Sequence, residues 1–219
     1  MNHTDKLIEI VKNSIKLAEQ GKSKLSDDIF RIHGMSGVKE RHFLNNIVGM
    51  TENARYLEIG CWKGSTLISA LYNNSPQYHA AIDDFSEFEG PRNDFYDNCK
   101  KYLPHPVNFI EANCFSFDPI QRGIKDINVY FFDGLHTVES HEKSLIHYHP
   151  SLQDTFILIV DDWGWPDPQQ GTIEGLFKSR IEVIYFEEPG TPAVIQNPAP
   201  PENPAGWWNG MLIAVCNKV

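Results

Sequence analysis

Long apolar runs are missing from this 219-residue chain. No stretch approaches the ~18–20 apolar residues that span a bilayer. The opening Met-Asn-His-Thr-Asp-Lys also has no signal-peptide core. A cytoplasmic protein with no membrane partner is therefore expected. Cysteine is scarce too: Cys61, Cys99, Cys114 and Cys216 lie far apart and form no Cys-x-x-Cys pair. That pattern indicates neither a zinc site nor a disulfide framework, and the four read as free, structural thiols. Basic charge is in short supply, with 19 Lys and Arg against 29 Asp and Glu and a net charge of −10. Affinity for a nucleic-acid backbone rests on neutralising phosphates with Lys and Arg. No nucleic-acid partner is expected, and a small-molecule substrate fits better.

The stretch that organises the chain is Tyr-Leu-Glu-Ile-Gly-Cys-Trp-Lys-Gly-Ser-Thr-Leu-Ile-Ser-Ala-Leu, residues 56 to 71. A short apolar opening suits a buried strand, and Leu67, Ile68 and Leu71 recur on one helix face. Between strand and helix lie Glu58, Gly60 and Gly64. Glycine lets a ligand approach bare backbone, and doubly wound α/β folds bind ligands beyond the carboxyl ends of their strands. The nicotinamide fingerprint Gly-x-Gly-x-x-Gly is absent, because Glu58 stands where its first glycine belongs. An acid there repels a pyrophosphate and attracts an ammonium or sulfonium. A tight turn with no ligand is the plain alternative.

Glu-x-Gly-x-x-x-Gly resembles the first motif of class I S-adenosylmethionine-dependent methyltransferases. The resemblance implies S-adenosylmethionine as cofactor, with Glu58 near its aminoacyl end. It also implies that Gly60, Gly64 and Ser65 receive the cofactor carboxylate at the start of the following helix.

Upstream, residues 5 to 21 carry a broad apolar stripe of helical period, and a second helix is predicted within 28 to 49. This layer covers one face of the sheet in the plainer reading; a cap on the substrate pocket or a homo-oligomer contact is the alternative. Downstream, Tyr78 to Ile82 reads as a strand ending in Asp83-Asp84. A carboxylate about 20 residues past a glycine loop accepts ribose hydroxyls in such folds; Asp83 is at that distance and Asp84 competes with it. A helix is predicted over 91 to 103 and a strand over 107 to 111, which leads into Asn113-Cys114-Phe115. By resemblance this loop borders the adenine, with hydrogen bonds from Asn113 and Cys114.

The strand Ile127 to Phe132 delivers Asp133-Gly134-Leu135-His136, and the strand Phe156 to Val160 delivers Asp161-Asp162-Trp163. In a parallel sheet these ends share the edge of the glycine loop. Crowded carboxylates need a cation or fixed donors to offset their charge. Oxygen ligands without cysteine favour Mg2+, with Mn2+ the other choice. Asp133, Asp161 and Asp162 are the candidate metal ligands. His136 is the candidate general base, since imidazole takes a hydroxyl proton near neutral pH. Asp133 also borders the cofactor. A structural histidine and a helix-capping acid pair are the plain alternatives.

Phe132-Asp133-Gly134-Leu135-His136 followed by Ile159-Val160-Asp161-Asp162-Trp163 resembles the metal-dependent small-molecule O-methyltransferases of the macrocin and mycinamicin type. In that family the matching acids hold magnesium and the matching histidine is the proposed base. The likeness covers roughly Tyr56 to Trp163, and it implies a hydroxylated small-molecule acceptor. It also implies an α/β fold: a doubly wound, mostly parallel, Rossmann-like methyltransferase sheet with an antiparallel last strand and N-terminal helices. One domain, 1–219, is expected, with a helical cap over 1–50 and the α/β core over 51–219. The tail predicts a short helix over 172 to 179, strands over 181 to 186 and 211 to 215, and between them a proline-rich surface loop, 188 to 209, near the acceptor entrance. Trp163, Trp165, Trp207 and Trp208 could wall the acceptor. A metal-independent N- or C-methyltransferase and a non-catalytic S-adenosylmethionine-binding protein are the alternatives of function, and a nicotinamide oxidoreductase is disfavoured by Glu58.

Overall fold

The central strands bury both faces, and their sequences read accordingly as unbroken apolar runs. In the computed structural model, which describes residues 2–88, 91–191 and 206–219, seven strands form one sheet. They are β1 (Arg55–Ile59), β2 (Tyr78–Asp83), β3 (Phe109–Glu111), β4 (Ile127–Phe132), β5 (Leu152–Val160), β6 (Ile181–Glu187) and β7 (Leu212–Lys218). The order is β3-β2-β1-β4-β5-β7-β6. The first five are parallel, and β7 runs antiparallel to both β5 and β6. The order reverses between β1 and β4, the place where an open α/β sheet opens a ligand crevice at its carboxyl edge.

One face packs under α1 (His3–Glu19), α2 (Val38–Met50), α3 (Ser65–Leu71) and α4 (Arg92–Tyr102). Leu7, Val11, Phe43, Leu44 and Ile47 meet Tyr56, Phe131, Ile159 and Ile213 there. The N-terminal layer therefore covers sheet. The other face packs under α5 (Val138–Tyr148) and α6 (Pro166–Lys178), where Leu145 and Tyr148 meet Leu57, Tyr130, Phe132 and Leu158.

Two elements exceed their sequence-based bounds by four residues or more. Helix α6 begins at Pro166, not Thr172, because Pro166 and Pro168 occupy its first turn, where a missing N–H costs nothing. Strand β5 begins at Leu152, where the polar Gln153 and Asp154 hide a strand that pairs with β4 and, from Thr155, with β7. Of the expected loop over 188 to 209, residues 192–205 lie outside the described residues. Among the described residues no helix is long and apolar enough to cross a membrane.

Candidate active site

The carboxyl ends of β2, β1, β4 and β5 are laced in succession, which sets their acids along one edge. Gly60 N–H donates to Ile82 O (2.9 Å), Asp133 N–H to Ile59 O (2.8 Å) and Asp161 N–H to Phe132 O (3.1 Å). Gly60 sits at φ 86°, and a Cβ there would stand 1.8 Å from the Asp133 carbonyl oxygen. Glycine is thus required where the loop after β1 meets the end of β4. Gly64, at φ 83°, is the N-cap of α3. Beside it, Ser65 Oγ is 3.2 Å from Ser36 Oγ, and a Cβ on Gly34 would strike Ser65. The N-terminal layer therefore closes over the start of α3, and His33 packs edge-on against Trp62 of the loop (5.1 Å).

The two acids of the loop region are turned inward. Glu58 is fully buried, and its carboxyl accepts from Tyr56 Oη (2.5 Å) and Thr66 Oγ1 (2.6 Å). Burial pushes it up to about 8, against the pull of those two hydroxyls. At neutral pH it is mostly uncharged and offers no free oxygen to a ligand. Asp83 Oδ2 accepts the N–H groups of Cys61 (2.7 Å) and Trp62 (2.8 Å), and its Oδ1 accepts that of Phe85 (2.7 Å). It holds the loop in shape. Asp84 is exposed, and one of its oxygens, Oδ1, accepts from Ser86. Asn113 accepts from Phe115 N–H (3.0 Å) within its own turn, while the Cys114 carbonyl accepts from Tyr148 Oη (2.7 Å). Burial pushes the Cys114 thiol up to about 12 and lifts Cys61 as well, so neither is a ready nucleophile.

The ends of β4 and β5 differ. Asp133, His136 and Asp162 each bring one ligand atom within 4.8 Å of the others. His136 Nε2 is 2.9 Å from Asp162 Oδ2 and 3.7 Å from Asp133 Oδ1. Among the described residues this buried nitrogen makes no well-formed hydrogen bond, although it is ion-paired with Asp162. Burial opposes the imidazolium, but the two acids outweigh it and push His136 up to about 10. Asp133 is lifted to about 6 by burial, against the pull of His136. Asp161 is 2% exposed, its Oδ1 is without a partner among the described residues, and it stands outside the trio of converging ligand atoms. Burial, with Glu40, Asp133 and Asp162 nearby, drives Asp161 well above the carboxylate range.

The donor set fits a hard divalent cation in its chemistry: two carboxylates and one imidazole bring ligand atoms within 4.8 Å of one another. Two residues the sequence reading passed over belong to this neighbourhood. Glu40 of α2 is fully buried; its Oε2 accepts from Gly37 N–H (2.9 Å), while Oε1 has no partner among the described residues. Asn209 donates from Nδ2 to Asp162 Oδ1 (2.6 Å). The Asn209-Gly210 pair is a turn signal, and Gly37-x-x-Glu40 is a helix-start signal, but neither spacing tells what the side chains meet.

Of the four tryptophans expected to wall the acceptor, Trp163 and Trp207 are buried in the core, and their indoles donate to Glu188 and Glu19. Trp165 stands 6.1 Å from the His136 ring. His141 is a core histidine whose pKa burial pushes down to about 3.

No protein-family model matches the sequence, and no curated protein matches it. Solved structures share its fold. TrmN from Thermus thermophilus superposes with a TM-score of 0.57 at 10% identity over 88% of this chain, which spans 52% of TrmN. A putative RNA methyltransferase from Pyrococcus horikoshii gives 0.56 at 9% identity, covering 100% of this chain and 99% of that one. An O-methyltransferase from Bacillus cereus, solved with S-adenosylhomocysteine, gives 0.56 at 14% identity, covering 94% and 90%. The fold is the Rossmann-like methyltransferase fold.

Proposed function

We propose that this protein transfers the methyl group of S-adenosylmethionine to a hydroxyl of a small molecule, with the help of a divalent metal. One observation carries the reading: Asp133, His136 and Asp162 each bring a ligand atom within 4.8 Å of the others beside the glycine loop, around an imidazole nitrogen that is ion-paired with Asp162 but makes no well-formed hydrogen bond among the described residues. The likeness of fold to methyltransferases supports the cofactor, and the acids support the metal.

S-adenosylmethionine supplies an electrophilic methyl group, and a bound Mg2+ or Mn2+ supplies charge that favours an ionised acceptor oxygen. The chain's own residues do the rest. The backbone at Gly60 and the Asp83-braced loop receive the aminoacyl end of the cofactor, and the exposed Asp84 is the better placed of the two acids for ribose. Asp133 and Asp162 would hold the metal, with Asp161 behind them. His136 accepts the proton of the acceptor hydroxyl. That role needs the charge of the two acids to be offset, because they stabilise the imidazolium while burial opposes it. Positioning and charge then carry the displacement at the methyl carbon.

The acceptor follows from charge. One of the fold neighbours is named an RNA methyltransferase, but a net charge of −10 and an acid-lined site favour a small acceptor over a polyanion. The deciding experiment is calorimetric titration with S-adenosylmethionine, with Mg2+ and then with chelator, followed by S-adenosylhomocysteine release against a panel of hydroxylated acceptors. Turnover that stops on chelation is expected. Turnover indifferent to chelation favours the metal-independent N- or C-methyltransferase, cofactor binding without turnover favours a non-catalytic binding protein, and no cofactor binding ends the reading.

A further inference from the structure

Asp162 lies two residues beyond β5 with its backbone in the left-handed region (φ 51°), and its two oxygens have different neighbours. Oδ2 faces His136 Nε2 at 2.9 Å, and Oδ1 accepts from Asn209 Nδ2 at 2.6 Å, out of contact with water. Asn209 lies 47 residues further on, in the turn before β7, also left-handed (φ 48°). Its carbonyl accepts from Gly164 N–H (2.8 Å), and the Gly210 carbonyl accepts from Trp163 N–H (3.0 Å). Three hydrogen bonds thus lace the turn onto the two loop residues that follow Asp162 and onto Asp162 itself.

We infer that Asn209 is a positioning residue for Asp162. By taking Oδ1, it leaves Oδ2 alone to face the point shared with Asp133 and His136. This rests on the metal-assisted reading above. A carboxylate free to turn about its Cβ–Cγ bond would have to be ordered on binding a cation, whereas one fixed by a buried donor is ready for it. Asparagine suits the position twice over. It tolerates left-handed backbone better than most residues, and its amide donates without bringing a positive charge that would compete for the carboxylate. The turn is itself anchored to the N-terminal layer, since the Gly206 carbonyl accepts from Lys39 N–H (3.0 Å) and the Trp207 indole donates to Glu19 (2.5 Å).

The test compares Asn209→Gly with the wild type. Glycine keeps the left-handed backbone and removes only the amide. Mn2+ alone is titrated and free ion is read by electron paramagnetic resonance; S-adenosylmethionine affinity is read by calorimetry and folding by thermal unfolding. A loss of about 10–100-fold in Mn2+ affinity is expected, with cofactor affinity unchanged. Trp207→Phe, which removes one of the two anchors, the indole bond to Glu19, without touching Asp162, should leave Mn2+ affinity as it was. If Asn209→Gly does not fold, Asn209→Ser takes its place with the same outcomes. Unchanged Mn2+ affinity overturns the assignment, as does a joint loss of Mn2+ and cofactor binding, which marks a purely structural clamp. A wild type that binds no Mn2+ is a separate result: it sinks the metal-assisted reading itself and this assignment with it.

Discussion

Two pairs of strands deliver acids to the same sheet edge, and the protein treats them in opposite ways. At the ends of β1 and β2, Glu58 and Asp83 have every carboxyl oxygen taken by a protein donor: two hydroxyls for Glu58 and three backbone N–H groups for Asp83. At the ends of β4 and β5, Asp161 Oδ1 and His136 Nε2 are buried without a hydrogen-bond partner among the described residues, and Asp133 and Asp162 crowd the same imidazole. A buried polar atom left without a partner costs on the order of 1–3 kcal/mol. Satisfied acids act as scaffold; the unsatisfied ones are the candidates for holding a cation in the proposed function. The residue type is the same at both ends, and the donors around it decide the role.

The largest effect expected from this contrast is at the unsatisfied end. Asp133→Ala should lower methyl transfer on the order of 10³-fold, since a metal supplies several kcal/mol of charge stabilisation, with S-adenosylmethionine affinity kept. Turnover assays paired with calorimetry check it, and equal losses in both would erase the distinction between the two ends. Next comes His136→Gln, expected to cost roughly 10²-fold or more in turnover, the contribution of a positioned base. Mn2+ affinity should change little if His136 is a base; if Mn2+ binding is lost as well, the imidazole is a ligand, as its place among the converging atoms permits.

The unsatisfied end was the more legible in sequence. Buried parallel strands read as apolar runs, and an acid that ends one stands out, so Asp133, His136, Asp161 and Asp162 are singled out by their place after β4 and β5; that Asp161 stands outside the converging trio was not legible. Whether an acid is satisfied was not legible. The donors to Asp83 come from a loop more than 20 residues earlier and from its own turn, and Thr66 reaches Glu58 from the next helix. Such partners are set by tertiary placement, which no local pattern encodes. Glu40 and Asn209 were missed for the same reason: one reads as helix start, the other as turn. The elements were mostly found, and the bounds slipped where polar residues lie within β5 and prolines open α6.

A smaller effect is expected at the satisfied end. Asp83→Ala leaves the N–H groups of Cys61, Trp62 and Phe85 without their shared acceptor, and should cost about 2–4 kcal/mol of stability, given the strength of hydrogen bonds to a charged group. Urea unfolding measures it. Mn2+ affinity should be untouched, and a variant that loses metal but keeps its stability would reverse the roles assigned to the two ends.

Glu58→Gln gives the smallest effect and the finest test of the contrast. Burial lifts the Glu58 carboxyl from 4.5 to about 8, so between those values the folded chain keeps a proton that the unfolded chain releases. Its contribution to stability is full below pH about 4.5 and is lost as pH rises through about 8, at a slope of up to about 1.4 kcal/mol per pH unit. A neutral carboxyl donates to one of its two hydroxyl neighbours, which then accepts; the glutamine amide reproduces that pattern at every pH. Across pH 5 to 8, wild-type stability should therefore fall relative to the variant, as read from urea unfolding at several pH values. Parallel curves would mean that Glu58 is ionised inside the fold, with its charge still available to a cationic ligand, and the line drawn between the two ends of the sheet edge would move.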